Sequence, residues 1–264
     1  MSYIELGNLE LALGAVLLLL NAGLSLAMQL GLARQLLVAA ARMTVQLFLV
    51  GLVLKAVFAL GSPWVTATVA LVMTAFAAHE VRSRQERRLR GAWGYALGGG
   101  TVMLAGMLVT LFALTVQIRP EPWYAPRFAL PLLGMVLGNV MTGVSLALND
   151  IGLTAARERG AIEAQLALGA TRWQAMRPTA RRALRTGFIP IINAMAATGV
   201  VALPGMMSGQ ILAGVDPTQA VRYQLLVMFM IAGATGSGVF MAVFACIARL
   251  TDERHRLRLD RLTP

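Results

Sequence analysis

The chain has 264 residues, of which 58% are hydrophobic and only 13% are charged. This balance excludes an ordinary soluble protein, in which about half of the residues are apolar and about a quarter are charged. The net charge of +11 does not indicate nucleic-acid binding, because most of the arginines flank hydrophobic stretches. They fall in three clusters, at residues 82–90, 157–185 and 249–261. The composition therefore predicts an integral, all-α protein of the lipid bilayer, with no nucleic-acid partner.

Seven hydrophobic stretches are long enough to cross a hydrocarbon core about 30 Å thick. They run over residues 8–30, 36–59, 63–81, 92–117, 128–149, 188–212 and 218–248. The arginine clusters belong in the cytoplasm by the positive-inside rule, so alternate loops fall outside. The sequence predicts a polytopic protein of about seven transmembrane helices, with the amino terminus outside and the carboxyl terminus in the cytoplasm.

The longest polar segment lies between the fifth and sixth predicted spans. Residues 154–168 are strong helix formers with apolar positions along one face. Gly169 follows where a helix would end in a left-handed residue. Thr171 and Gln174 then fit a capping box that opens a second, short helix. The pattern predicts two helices that meet at a glycine corner beside an exposed Trp173; the segment either lies on the headgroups or docks a soluble partner.

Several polar side chains and methionines lie inside the predicted spans, where polar groups are costly unless they face other helices or a water-filled path. The residues predicted to form a translocation path are Arg42, Gln46, Asn139, Asn193, Pro204, Met206, Met207 and Gln210. The alternative for each amide is an interhelical hydrogen bond. The spans contain no cluster of His, Cys or carboxylate residues, so no high-affinity metal site is predicted.

The sixth predicted span contains the sequence VALPGMMSGQ, which interrupts an otherwise apolar run. Proline and glycine are tolerated in a spanning helix where neighbouring groups satisfy the freed backbone, so the Pro204–Gly205 pair predicts a kink or a broken helix. Gly205 and Gly209 have the spacing that permits close helix contact, as do Gly94 and Gly98. The adjacent methionines are flexible and suit the lining of a moving joint.

Three long strings of the chain resemble the FetB family of ABC transporter permeases. They are PLLGMVLGNVMTGVSLAL, EAQLALGATRWQAMRP and LPGMMSGQILAGVDPTQAVRYQLLVMF. The resemblance implies a single transmembrane permease domain over residues 1–264, with a cytoplasmic coupling segment at about 150–187 and a basic cytoplasmic tail at 249–264. It further implies a multi-pass protein of the bacterial inner membrane that exports iron, another metal ion or a small solute.

The string EAQLALGATRW is also similar to the coupling motif of ABC transporter membrane subunits. The residues that this similarity assigns to contact with an ATPase are Glu163, Ala164, Gly169, Ala170, Thr171, Trp173 and Gln174. The family resemblance implies a cytosolic FetA-type ATPase as partner, which holds ATP and magnesium, and a permease homodimer. The chain itself is expected to bind no cofactor and to catalyse no reaction.

The only lysine, Lys55, is not part of the G-x-x-x-x-G-K-[ST] loop that cradles nucleotide phosphates. ATP hydrolysis by this chain is therefore excluded. One alternative is an ATPase-independent secondary transporter or channel, which would be expected to carry a membrane-embedded Asp or Glu. Another is a membrane enzyme acting on lipid-linked substrates, which usually needs clustered acids or a nucleophile with its base; the four aspartates are scattered.

Overall fold

The computed structural model describes residues 7–263, apart from the side chain of Asn8. This part of the chain is α-helical and contains no β-strand beyond three isolated bridges. It divides into two compact units, one up to Leu60 and the other from Gly61 onward. The prediction of an all-α, polytopic protein is confirmed by these helices.

The first unit is a helical hairpin of α1 (Asn8–Ala27) and α2 (Ala33–Leu60). The turn between α1 and α2 is stabilised by the buried Ser25, whose Oγ accepts a hydrogen bond from the backbone N–H of Leu32 at 3.1 Å. Most leucines, valines and phenylalanines of both helices are exposed within this unit. Such surfaces suit a lipid environment, in which apolar side chains need no aqueous shielding.

The second unit contains eight α-helices within the described residues. They are α3 (Pro63–Ser83), α4 (Trp93–Phe112), α5 (Pro126–Arg157), α6 (Arg159–Ala167), α7 (Arg172–Ala175), α8 (Arg177–Ala197), α9 (Gly205–Leu212) and α10 (Pro217–Leu250). A π-helical segment, Ala113–Ile118, extends α4, and a short 3-10 turn, Leu259–Arg261, lies in the tail. Helix α10 begins at Pro217 behind an Asp216 cap, whose side chain accepts hydrogen bonds from the N–H groups of Thr218 and Gln219.

Helix α5 forms the centre of the second unit and contacts α3, α4, α8 and α10. Its valines at 136, 140 and 144 are completely buried among these helices. Helices α5 and α8 approach each other closely, since a Cβ on Gly187 would lie 2.9 Å from the carbonyl oxygen of Gly143. The two backbones therefore touch, and only glycine fits at this crossing.

Six described helices are long and apolar enough to cross a membrane: α1, α2, α3, α4 with its π-helical extension, α5 and α10. The predicted sixth span, 188–212, is instead divided between α8 and α9. Seven residues, 198–204, separate the two helices, and Val200 in this connection is 92% exposed. The predicted break at Pro204–Gly205 is thus present, and Pro204 caps the amino end of α9.

Residues after α10 fold back onto the loop between α3 and α4. The backbone N–H of Arg90 donates to the carbonyl of Arg261, and that of Thr263 donates to the carbonyl of Arg88, both at 2.8 Å. Leu262 between these bonds is buried in the core. The basic tail predicted from the sequence is therefore a docked segment rather than a freely solvated one.

Candidate functional site

The predicted glycine corner is a well-defined turn between α6 and α7. We call residues 159–175 the elbow. Gly169 has a φ of +91°, the left-handed conformation expected where a helix ends. The capping box is complete, because Gln174 donates its N–H to Thr171 Oγ1 at 3.3 Å while its Oε1 accepts the N–H of Thr171 at 2.9 Å. The local structure predicted for this segment is confirmed.

The elbow is attached to the core of the second unit at both of its ends. Ile162 on α6 and Ala175 on α7 are buried, and Met176 immediately before α8 is fully buried. Trp173 lies with its ring centroid 5.9 Å from that of Phe244 on α10, although 41% of its surface remains exposed. A force on the elbow would consequently be transmitted to α8 and α10 through packed side chains.

One face of the elbow is open to solvent. Glu163 is exposed and pairs with Arg159 at 2.8 Å between Oε1 and Nε. Other predicted coupling residues share this exposure, with Ala170 half-buried: they are Ala164, Gly169, Thr171 and Gln174. Sequence reasoning missed Leu168, which is 88% exposed beside the glycine turn. An apolar side chain that projects so far is a candidate contact for another protein.

The docked tail also contacts the elbow. The backbone N–H of Arg172 donates to Nδ1 of His255 at 3.2 Å. Hydrogen bonds from Arg256, first from its backbone N–H, hold the pKa of the Asp252 carboxyl below its ordinary value. The hydrogen bond from Arg258 lowers the pKa of Asp260 to about 2. These pairs stabilise the turn of the tail beside the elbow. No local sequence pattern predicts this contact between tail and elbow.

Two of the predicted path residues lie at similar depth on neighbouring helices. The contacts Gly143 with Gly187 and Asp150 with Arg182 show that α5 and α8 run antiparallel. Asn139 and Asn193 then lie about 6 Å and about 9 Å beyond the glycine crossing, in the same direction. Asn193 is exposed on α8, so its amide is open to a path or to another chain.

The Asn139 amide belongs to a polar face of α5. Its Nδ2 donates to the carbonyl of Met135 at 2.9 Å, and the Thr142 hydroxyl donates to the carbonyl of Gly138 at the same distance. Both side chains are only partly buried. About two turns after Thr142, the Asn149 side chain instead accepts a hydrogen bond from the backbone N–H of Glu86, so it holds the loop after α3 rather than lining a path.

The predicted hinge residues lie on α9, which packs against α10. Met206 and Met207 are half-buried, and Met206 contacts the hydrophobic core. The Oε1 atom of Gln210 is buried and has no hydrogen-bond partner among the residues that the structure describes. An unsatisfied buried amide is unusual in a purely structural role, because it loses its hydration without compensation. Gln210 is therefore the most distinctive of the predicted path residues.

Arg42 and Gln46 lie on α2 in the first unit, whereas the other six predicted path residues belong to the second unit. The Arg42 side chain is exposed and that of Gln46 is half-buried within this unit. Across the described residues, no group of three or more His, Cys, Asp or Glu side chains is arranged to hold a metal ion. The described part of the chain thus offers no dedicated metal cage.

A basic groove of about 420 Å³ lies on α8, beyond its junction with the elbow. Its walls are formed by Pro178, Arg181, Arg182, Arg185, Thr186 and Ile189. Arg182 pairs with Asp150 at 3.3 Å between Nε and Oδ1. The other two arginines of the groove have no carboxylate partner within the described part of the chain.

The six apolar helices of the described residues and the family match define the class of this molecule as a multi-pass, all-α membrane protein of the permease type. Residues 8–251 match the model of the family described as UPF0014 (Uncharacterised protein family). The chain belongs to the UPF0014 family. The predicted resemblance to the FetB family is confirmed by this match and by the relatives.

Three relatives cover most of the chain. It is 38% identical over 249 residues to a UPF0014 membrane protein of Synechocystis, covering 92% of this chain and 94% of the relative. It is 30% identical over 255 residues to the Escherichia coli protein named "Probable iron export permease protein FetB", covering 97% and 96%. The UPF0014 membrane protein STAR2 of Oryza sativa subsp. japonica is 32% identical over 240 residues, covering 91% and 82%. No solved structure matches the chain.

Proposed function

We propose that this chain is the membrane-spanning permease subunit of an ABC transporter, which exports iron, another metal ion or a small solute across the bacterial inner membrane. A separate cytosolic ATPase of the FetA type would bind ATP and magnesium and supply the energy. The observation that carries the proposal is the elbow: it is exposed on one face and packed into α8 and α10 on the other. Export of iron is taken from the name of the Escherichia coli relative.

The elbow is suited to convert closure of an ATPase into movement of membrane helices. Its exposed face presents Glu163, Leu168 and Trp173 to a partner. Its buried side continues directly into α8, which touches α5 at the glycine crossing. ATP-driven closure would push the elbow and rotate α8 against its neighbours as a rigid body, which is a known route to alternating access.

The proposed topology has seven crossings. The part of α8 beyond Arg185 is about 18 Å long and α9 is about 12 Å long, so together they match a core of about 30 Å. The connection between them would then lie within the bundle, where irregular backbone is tolerated. With the elbow and the docked tail in the cytoplasm, the amino terminus lies outside.

A homodimer is part of the proposal. In the isolated second unit, the polar face of α5 around Asn139 and Thr142 and the Asn193 side chain of α8 are not fully covered. Lipid tails offer these amides and hydroxyls no hydrogen bonds, so another protein surface or a water-filled path would have to face them. A second copy of the permease, with its own ATPase, would supply that surface.

The proposal is tested by co-expressing the chain with an ATPase encoded beside its gene. We expect the two proteins to copurify in detergent, and the permease to stimulate ATP hydrolysis. Leu168→Asp should abolish both, because it places a charge in the centre of the docking face. Arg254→Gln is the matched control, since it makes the same change of charge in the exposed tail. Absence of any copurifying ATPase would favour a secondary transporter or channel.

A further inference from the structure

The basic groove on α8 has the chemistry of an anion-binding site. Arg181, Arg182 and Arg185 lie within two helical turns, and all three residues line one concave surface. An arginine presents several N–H donors in a planar fork that matches the oxygens of a phosphate group. The hydroxyl of Thr186, which also lines the groove, provides one more donor.

The charge of the groove is only partly neutralised by the protein. Asp150 is the one carboxylate paired with it among the described residues, and its Oδ1 contacts Arg182. The side chain of Asp150 is largely buried, and among the described residues it forms an ion pair with Arg182 rather than with Arg181 or Arg185. Like charges four residues apart on a helix repel each other. The excess of two positive charges therefore favours an external anion between these arginines.

The position of the groove limits which anions can reach it. Pro178 and Ile189 give it apolar walls at its two ends, and the apolar part of α8 follows Arg185. By the positive-inside rule, this end of α8 lies at the cytoplasmic surface of the membrane. A phosphate group can arrive there either on an anionic lipid of the inner leaflet or on a soluble molecule from the cytosol.

We propose that Arg181, Arg182 and Arg185 form a binding site for a phosphate group at the cytoplasmic end of α8. The two unpaired arginines bind the phosphate oxygens directly, and Arg182 is held in place by Asp150. Phosphate binding at this site does not require the ATPase. An experiment can therefore disprove the site without disproving the proposed transport function, and the reverse also holds.

The lipid source is tested with the purified full chain in detergent. Native mass spectrometry would compare retention of phosphatidylglycerol with retention of phosphatidylcholine, which has the same phosphate but no net charge. We expect preferential retention of phosphatidylglycerol, and a loss of at least about tenfold in its affinity for the double variant Arg181→Gln, Arg185→Gln. The control double variant Arg177→Gln, Arg254→Gln loses the same charge at exposed positions outside the groove and should bind like the unmodified chain.

The soluble source is tested on the same three proteins with inorganic phosphate. A rise in the unfolding temperature relative to chloride at equal ionic strength, absent only from the Arg181→Gln, Arg185→Gln variant, would assign the site to a soluble phosphate. Selective loss of phosphatidylglycerol in that variant would assign the site to a lipid headgroup. If neither probe distinguishes the groove variant from the control variant, the proposed site does not exist.

Discussion

Gly169 is the residue on which the shape of the elbow depends. Its φ of +91° lies in the left-handed region, where a β-branched side chain costs roughly 1–3 kcal/mol. We predict that Gly169→Val distorts the turn, leaving membrane insertion intact but abolishing stimulation of the partner ATPase. The measurement is ATP hydrolysis by the reconstituted pair, alongside the amount of folded permease recovered from membranes.

Gly160→Val is the matched control for this prediction. Gly160 lies on α6 of the same elbow, its φ is not in the left-handed region, and a Cβ there meets no atom within 4 Å. It should therefore retain stimulated hydrolysis. Unchanged coupled hydrolysis in Gly169→Val would remove the glycine turn from the coupling mechanism, whatever the control shows.

Residue-scale features were predictable where the determinant is local. The left-handed Gly169, the capping box of Thr171 and Gln174, and the Asp216 cap all follow from positions adjacent in the sequence. The exposure of Leu168 was not predictable, because a leucine next to a helical run fits a buried position equally well. Which leucine projects depends on how the elbow is turned against the core, and that is a tertiary contact.

At the scale of helices, the crossing of α5 and α8 is a close contact that involves a glycine on each helix. A Cβ on Gly187 would lie 2.8 Å from a methyl group of Val239 and 2.9 Å from the carbonyl oxygen of Gly143. We predict that Gly187→Val forces the helices apart and destabilises the fold by about 1–3 kcal/mol, the usual cost of overpacking. Thermal unfolding in detergent should then show a lower midpoint.

Gly233→Val controls for the effect of a valine in a spanning helix. Gly233 lies on α10, where a Cβ meets nothing within 4 Å in this unit. Its midpoint should remain near that of the unmodified chain. Equal midpoints for Gly187→Val and Gly233→Val would mean that α5 and α8 can separate without loss of stability, and that their close contact does not stabilise the fold.

Helix α9 carries the second prediction at this scale. Because the Oε1 atom of Gln210 is buried with no hydrogen-bond partner in the described part of the chain, replacing this side chain with an apolar one should cost little stability. Gln210→Leu is therefore expected to alter transport while preserving copurification with the ATPase. Gln219→Leu, which changes an exposed amide at the start of α10, serves as control and should transport normally. Loss of copurification in Gln210→Leu would make Gln210 a packing residue.

Hydropathy predicted the positions of the helices along the chain better than glycine spacing predicted the contacts between them. Six of the seven predicted spans correspond to the six described helices that are long and apolar enough to cross a membrane. The predicted break at Pro204–Gly205 coincides with the start of α9. The glycines at 205 and 209 have the spacing of a close contact, yet a Cβ at either meets nothing within 4 Å in this unit. The crossing is instead formed by Gly143 and Gly187, which are far apart in the sequence and thus share no local pattern.

At the scale of the whole molecule, composition and charge were enough to predict the class of protein. The contacts between distant parts of the chain were not predictable in this way. Hydrophobic length and arginine placement are sums over many residues, so they predict an all-α membrane protein well. The docking of the tail on the loop after α3, and the hydrogen bond from the Arg172 backbone to His255, join residues more than eighty positions apart. Such contacts depend on the complete fold and leave no periodic signal.

The cargo is also a property of the whole molecule, because no described cluster of ligands marks a metal site. An exporter has to release what it carries, so a path of weak contacts is compatible with transport of a metal ion. If iron is exported, cells lacking this gene should accumulate more iron under iron load than cells that carry it. Elemental analysis of washed cells measures this directly, and re-expression of the Gln219→Leu chain should restore the lower level, whereas Gln210→Leu should not. Equal iron contents together with a rise in a different solute would assign the transporter to that solute instead.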